Sequence, residues 1–101
     1  MILRDYFKTI IENKASDLHL VAGARPAIRL NGRLEMISEE ELSQEFLESE
    51  IKALLAPEQW QHFVEKKELD FSQEFFAKRF RINLHFQRGM IGLTARLISS
   101  L

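Results

Sequence analysis

The stretch from Lys78 to Ile98 constrains this chain more than any other, because two alternating runs meet there at a short turn. In the first run Phe80, Ile82, Leu84 and Phe86 point one way, while Arg79, Arg81, Asn83, His85 and Gln87 point the other. Arg88-Gly89 interrupts the alternation, and Ile91, Leu93, Ala95 and Leu97 form the apolar set of the second run. A two-residue turn, or a four-residue turn of the same register, sets Gln87 opposite Met90. The apolar face then pairs Phe86 with Ile91, Leu84 with Leu93, Ile82 with Ala95 and Phe80 with Leu97. The polar face pairs His85 with Gly92, Asn83 with Thr94, and Arg81 with Arg96. A slip of one residue would set apolar side chains against polar ones, so the parity is strongly specified. Two guanidiniums directly opposed destabilise a sheet by roughly 0.2–1 kcal/mol. With no partner for either evident inside the chain, an anion from outside the strands makes better sense of the pair.

The rest of the chain reads as one α+β domain. Leu3, Tyr6, Phe7, Ile10 and Ile11 recur at helical spacing, which predicts an amphipathic helix over 1–14. Asp17 to Val21 is a short strand with Leu18 and Leu20 on one side, and Pro26 suits a sheet edge. Ala27–Leu30 and Arg33–Ile37 flank Asn31-Gly32, a strong hairpin signal. Of the two loop lengths open here, the three-residue loop opposes Ile28 to Leu34 and keeps an apolar face intact, so it is preferred. Ser38 with Glu41 has capping-box spacing and Ser43 is a second possible cap. Phe46, Leu47, Ile51, Leu54 and Leu55 form a helical stripe. Pro57 opens a further helix whose buried side is Trp60, Phe63 and Val64. Glu68–Ser72, with Leu69 and Phe71 inward, leads into the hairpin. The order is α-β-β-β-α-α-β-β-β, a mostly antiparallel sheet of about six strands with helices packed on it.

Composition closes off several functions. A chain of 101 residues, 46% hydrophobic and 29% charged, suits a single globular domain burying roughly 65% of its unfolded surface. No apolar run approaches the ~18 residues of a membrane span. The net charge of −1 argues against bulk nucleic-acid binding. The absence of cysteine excludes disulfides and thiolate chemistry, and it suits a reducing cytosol. His19, His62 and His85 fall on different elements without metal-ligand spacing. Asp17 and Asp70 could form a carboxylate pair, but a structural role suits each better, and Ser16, Ser38 and Ser43 sit where turn and cap serines sit. Arg29 and Arg33 read as a solvated face. For Arg81 and Arg96 two readings stand: a solvated face balanced by glutamates, or an anion site. The run Arg79-Phe80-Arg81-Ile82-Asn83-Leu84-His85-Phe86 has the rhythm of an RNA-recognition strand. Its phenylalanines, however, share a face with Ile82 and Leu84 and so belong to the core rather than to a base-stacking platform.

Set in order, the motifs resemble a known family. Ala15-Ser16-Asp17-Leu18-His19-Leu20 is followed by Ala22-Gly23, Pro26 and Ile28-Arg29-Leu30-Asn31-Gly32-Arg33. Further on come Asp70-Phe71-Ser72, Arg79-Phe80-Arg81-Ile82-Asn83, Gln87-Arg88-Gly89, Gly92 and Arg96-Leu97-Ile98. Together they are similar to the N-terminal domain of PilT/PilU-type motor ATPases, in the superfamily that drives type IV pili and type II secretion. The resemblance implies a PAS-like N-terminal domain over 1–101, preceding a RecA-like ATPase domain, in a cytoplasmic homohexamer that meets an inner-membrane pilus platform protein. It implies that ATP and Mg²⁺ bind between the two domains, with Arg81 and Arg96 reaching the nucleotide phosphates. No G-x-x-x-x-G-K-[ST] loop occurs, so this chain by itself is expected neither to hydrolyse ATP nor to hold nucleotide tightly. A family helix starting almost at Met1 favours the retraction type over pilus-assembly and secretion relatives. A stand-alone PAS-like sensory or protein-interaction domain is the alternative. It is distinguished by whether the reading frame continues into a P-loop.

Overall fold

A computed structural model describes residues 1–100, with the side chains of Ser99 and Ser100 left aside. Helix α1 spans Leu3–Asn13. The amide of Ile2 donates to Asp5 Oδ2 at 2.8 Å at its start. It ends where Lys14 turns left-handed (φ 56°) and Ala15 N donates to Ile10 O at 2.9 Å, a Schellman-type closure. Strands β1 (Asp17–Val21), β2 (Ala27–Leu30) and β3 (Arg33–Met36) follow as a meander. Helices α2 (Gln44–Leu54) and α3 (Pro57–Lys66) come next. Strands β4 (Glu68–Phe75), β5 (Lys78–Gln87) and β6 (Met90–Ser100) complete a second meander. The six strands form one sheet in the order β3-β2-β1-β6-β5-β4, every neighbouring pair antiparallel. This is the α+β, PAS-like architecture expected from the sequence.

The terminal hairpin pairs as its alternation requires. Gln87 faces Met90, Leu84 faces Leu93, Arg81 faces Arg96 and Phe80 faces Leu97; beyond that a bulge between Arg79 and Phe80 shifts the register. Arg88 (φ 54°) and Gly89 (φ 80°) are both left-handed, the two-residue turn whose twist matches the strands. The apolar face of the sheet meets the helices. Phe7, Ile10, Leu18, Leu20, Phe63, Phe80, Ile82, Leu84 and Leu93 are fully buried there. Phe7 stacks on Phe75 at 4.1 Å, and Phe63 stacks on Phe86 at 4.8 Å. Gln44 fastens the head of α2 to the hairpin, accepting from Ile91 N at 2.9 Å and donating to Gly89 O at 3.3 Å.

Three local expectations are corrected. The Asn31-Gly32 connection is a two-residue turn, with Leu30 opposite Arg33 and Ile28 opposite Glu35, not a three-residue loop opposing Ile28 to Leu34. Asn31 (φ 53°) and Gly32 (φ 80°) both take the left-handed conformation. The apolar-face criterion fails because β3 is an edge strand exposed along its whole length, with Leu34 and Met36 in solvent. Ser43 is the cap of α2, its Oγ accepting from Phe46 N at 3.0 Å, whereas Ser38 Oγ accepts from Glu40 N within a loop. Val64 is exposed, so α3 buries chiefly Phe63, with Trp60 partly covered.

Candidate functional site

The helices cover one face of the sheet and leave the other open. Cross-strand pairing lines up a transverse row on that open face: Arg29 on β2, Asp17 on β1, Arg96 on β6, Arg81 on β5 and Ser72 on β4. The neighbouring row runs His19, Thr94, Asn83, Asp70. Seven of these residues, Asp17, His19, Asp70, Arg81, Asn83, Thr94 and Arg96, line a shallow depression of about 390 Å³ together with Ala95.

Arg81 and Arg96 thus share a face and a register, as expected, but each has an acid of its own domain, contrary to the expectation of no partner inside the chain. Arg81 donates from Nε to Asp70 Oδ1 at 3.2 Å and from Nη2 to Asp70 Oδ2 at 3.3 Å. Arg96 donates from Nε to Asp17 Oδ1 at 3.0 Å. Neither guanidinium is buried; the side chains remain 69% and 72% exposed. Asp17 and Asp70 do not form a carboxylate pair, because each is taken by an arginine. The partnering was hidden because Asp17 lies in the first strand and Arg96 in the last. The one signal for it was that Leu18 and Leu20 inward force Asp17 and His19 outward.

Asp17 is the electrostatic centre of the row. Besides Arg96 it accepts from Ser16 Oγ at 2.6 Å, and Arg29 Nε lies 3.8 Å from its Oδ2. Burial pushes its carboxyl up, but the Ser16 bond and the Arg96 bond and charge prevail and hold it below the usual carboxylate range. Arg29, read from sequence as part of a solvated face, therefore belongs to the site. Burial pushes the imidazole of His19 below its ordinary value; Asp17 opposes this while Arg29 and His85 reinforce it. His19 Nε2 is buried with no hydrogen-bond partner in the structure. His85 donates from Nδ1 to Asn83 Oδ1 at 3.1 Å, which requires the tautomer protonated at Nδ1. Its ring lies over Gly92, where a Cβ would collide with it. Arg79 turns to Ser72 Oγ at 3.2 Å, and Arg88 sits in the β5–β6 turn, so neither joins Arg81 and Arg96.

Counting Arg29, Arg81 and Arg96 against Asp17 and Asp70 leaves the two rows together with one excess positive charge. That charge sits on exposed, fork-shaped donors suited to phosphate oxygens. The donor set fits the phosphates of a nucleotide; it does not fit Mg²⁺. Both carboxylates are already engaged, and the described residues contain no cluster of three or more His, Cys, Asp or Glu able to hold a metal ion.

Comparison with known proteins finds relatives of the kind the motifs resemble. No family model matches the chain. It is 28% identical over 94 residues to the type IV pilus ATPase PilU of Pseudomonas aeruginosa, covering 92% of this chain and 25% of PilU. Its fold matches the crystal structure of the pilus retraction motor PilT with bound ADP, with a TM-score of 0.87 and 29% identity, over 100% of this chain and 30% of that one. The Legionella pneumophila ATPase DotB matches with a TM-score of 0.80 and 25% identity, over 93% of this chain and 27% of that one. The chain therefore spans about a quarter to a third of the length of these relatives.

Proposed function

We propose, taking as premise that the chain is an N-terminal domain of the PilT/PilU-type secretion ATPases, that it supplies Arg81 and Arg96 to the phosphates of ATP held with Mg²⁺ by a RecA-like ATPase domain. That domain would follow this one in the same protein. The assembly is a cytoplasmic homohexamer that drives type IV pilus retraction, and with it twitching motility, against an inner-membrane platform protein. Likeness to PilU and to the retraction motor PilT supports the pilus reading over a purely secretory one. The observation that carries the arginine role is their direct opposition on the uncovered face, with both guanidiniums exposed. Two fixed cations at one register position can straddle a phosphate group, and a shared anion relieves their mutual repulsion. The domain itself supplies neither nucleophile nor metal; its part is to place positive charge where charge develops on the transferring phosphoryl group.

The test is ATP turnover by the protein that joins this domain to its ATPase domain, with Arg81→Ala and Arg96→Ala made separately and together. An arginine that reaches the γ-phosphate in the transition state contributes about 10³–10⁵ in rate. A loss of that order with the fold retained is the expected result. Unchanged turnover in the double variant would remove the arginine role while leaving the family membership untouched.

A further inference from the structure

The two arginines are held differently. Asp70 grips Arg81 along the side of the guanidinium, occupying both Nε and Nη2. Asp17 occupies Nε of Arg96, which leaves the four N–H donors of Nη1 and Nη2 on a largely exposed side chain. The acids differ too. The Asp70 side chain is 47% exposed, so losing Arg81 returns it to water at little penalty. The Asp17 side chain is only 11% exposed, and stripping a buried carboxylate of its cation is strongly unfavourable. Ser16 and Arg29 fix it further in place.

We infer that the pair divides one task. Arg96 is an anchor that takes a phosphate-type polyanion through its Nη end while still bonded to Asp17. Arg81 is a gate that binds the same polyanion only by giving up Asp70. This deepens the proposed function and rests on it. It makes Asp17 and Asp70 positioning residues of opposite effect, one presenting its arginine and the other withholding it. Simple charge repulsion treats the two acids alike, since removing either takes one negative charge from beside the anion and tightens binding.

The experiment titrates inorganic tripolyphosphate at low ionic strength into this chain, as wild type, Asp70→Asn and Asp17→Asn, following the arginine Nε–Hε signals by NMR. Asp70→Asn tightens binding by about two- to fivefold, the worth of an exposed ion pair that no longer competes. Asp17→Asn weakens it by about two- to tenfold, the penalty for immobilising a side chain that is no longer held. In the wild type the Arg81 signal moves on saturation and the Arg96 signal stays near its free position, a comparison that stands even if Asp17→Asn fails to fold. Tighter binding in both variants, or equal movement of both wild-type signals, overturns the division of roles and leaves the phosphate site standing. If neither arginine responds to the polyanion, the phosphate site and the inference fall together.

Discussion

Gly92 sits opposite His85 on the open face, and a Cβ built there would run into the His85 ring. Replacing Gly92 with Ala sets two effects against each other. Glycine within a strand is worse than alanine by roughly 0.5–1 kcal/mol, so the substitution gains that much in backbone entropy. The His85 imidazole must swing away, however, and its bond to Asn83 at 3.1 Å goes with it, a loss of about 0.5–1.5 kcal/mol. The single variant should therefore lie within about 1 kcal/mol of wild type, which decides nothing by itself. The double-mutant cycle does decide. With His85→Ala already made, the obstruction is gone and Gly92→Ala should stabilise by its full entropic gain. The coupling between the two sites should be about 1 kcal/mol, with the alanine less favourable whenever the histidine is present. Urea unfolding of the four proteins measures it, provided the m-values agree. For a domain of this size that coupling corresponds to a difference of about 4–8 °C in Tm. Additivity within about 0.3 kcal/mol, or coupling of the opposite sign, would refute the account of Gly92 as the seat for the ring.

Two further perturbations probe features the fold needs. His19 has its pKa lowered in the folded state, so the unfolded chain binds more protons as pH falls through the unfolded value of about 6.5. Stability should drop across that window, and urea midpoints at pH 7.5 and 5.5 should differ less in His19→Gln than in wild type. In the β4–β5 turn Phe76 (φ 53°) and Ala77 (φ 61°) both adopt the left-handed conformation, which costs a residue with a Cβ roughly 1–2 kcal/mol. Changing the pair to Asn-Gly should raise stability by about 1–2 kcal/mol, after subtracting about 0.5–1 kcal/mol for the Arg4 guanidinium that lies 5.1 Å from the Phe76 ring. A lower urea midpoint would contradict it.

Much of the sheet could be read from the chain because its strands are long and one-sided. Nine residues of unbroken alternation in β5, 79–87, leave only one parity for Arg81 and Arg96, and the pairing of Leu84 with Leu93 follows from the same constraint. The Asn31-Gly32 turn departs from the three-residue expectation for the converse reason. An exposed edge strand has no buried face to defend, so turn chemistry alone sets its register there. Ser38 has the capping-box spacing and Ser43 is only a possible cap by residue type, yet the position of Phe46 N selects Ser43. The acids beside the two arginines escaped notice because they come from β1 and β4, and the pairing of β1 with β6 is not a local property. Alternation does put Asp17, His19 and Asp70 outward. It does not say which neighbouring strand they will lie beside.

That same strand order has a kinetic consequence. The sheet is two short-range meanders, β1-β2-β3 and β4-β5-β6, joined along a single seam where the first strand meets the last. Within each half the turns are tight, so the contacts close small loops and can form early. The seam brings together residues as far apart in sequence as Asp17 and Arg96, and ordering that span is the slow, entropically demanding step. The Arg96–Asp17 bond is a rivet across the seam, so the acid that orients Arg96 also helps hold the two halves of the domain together.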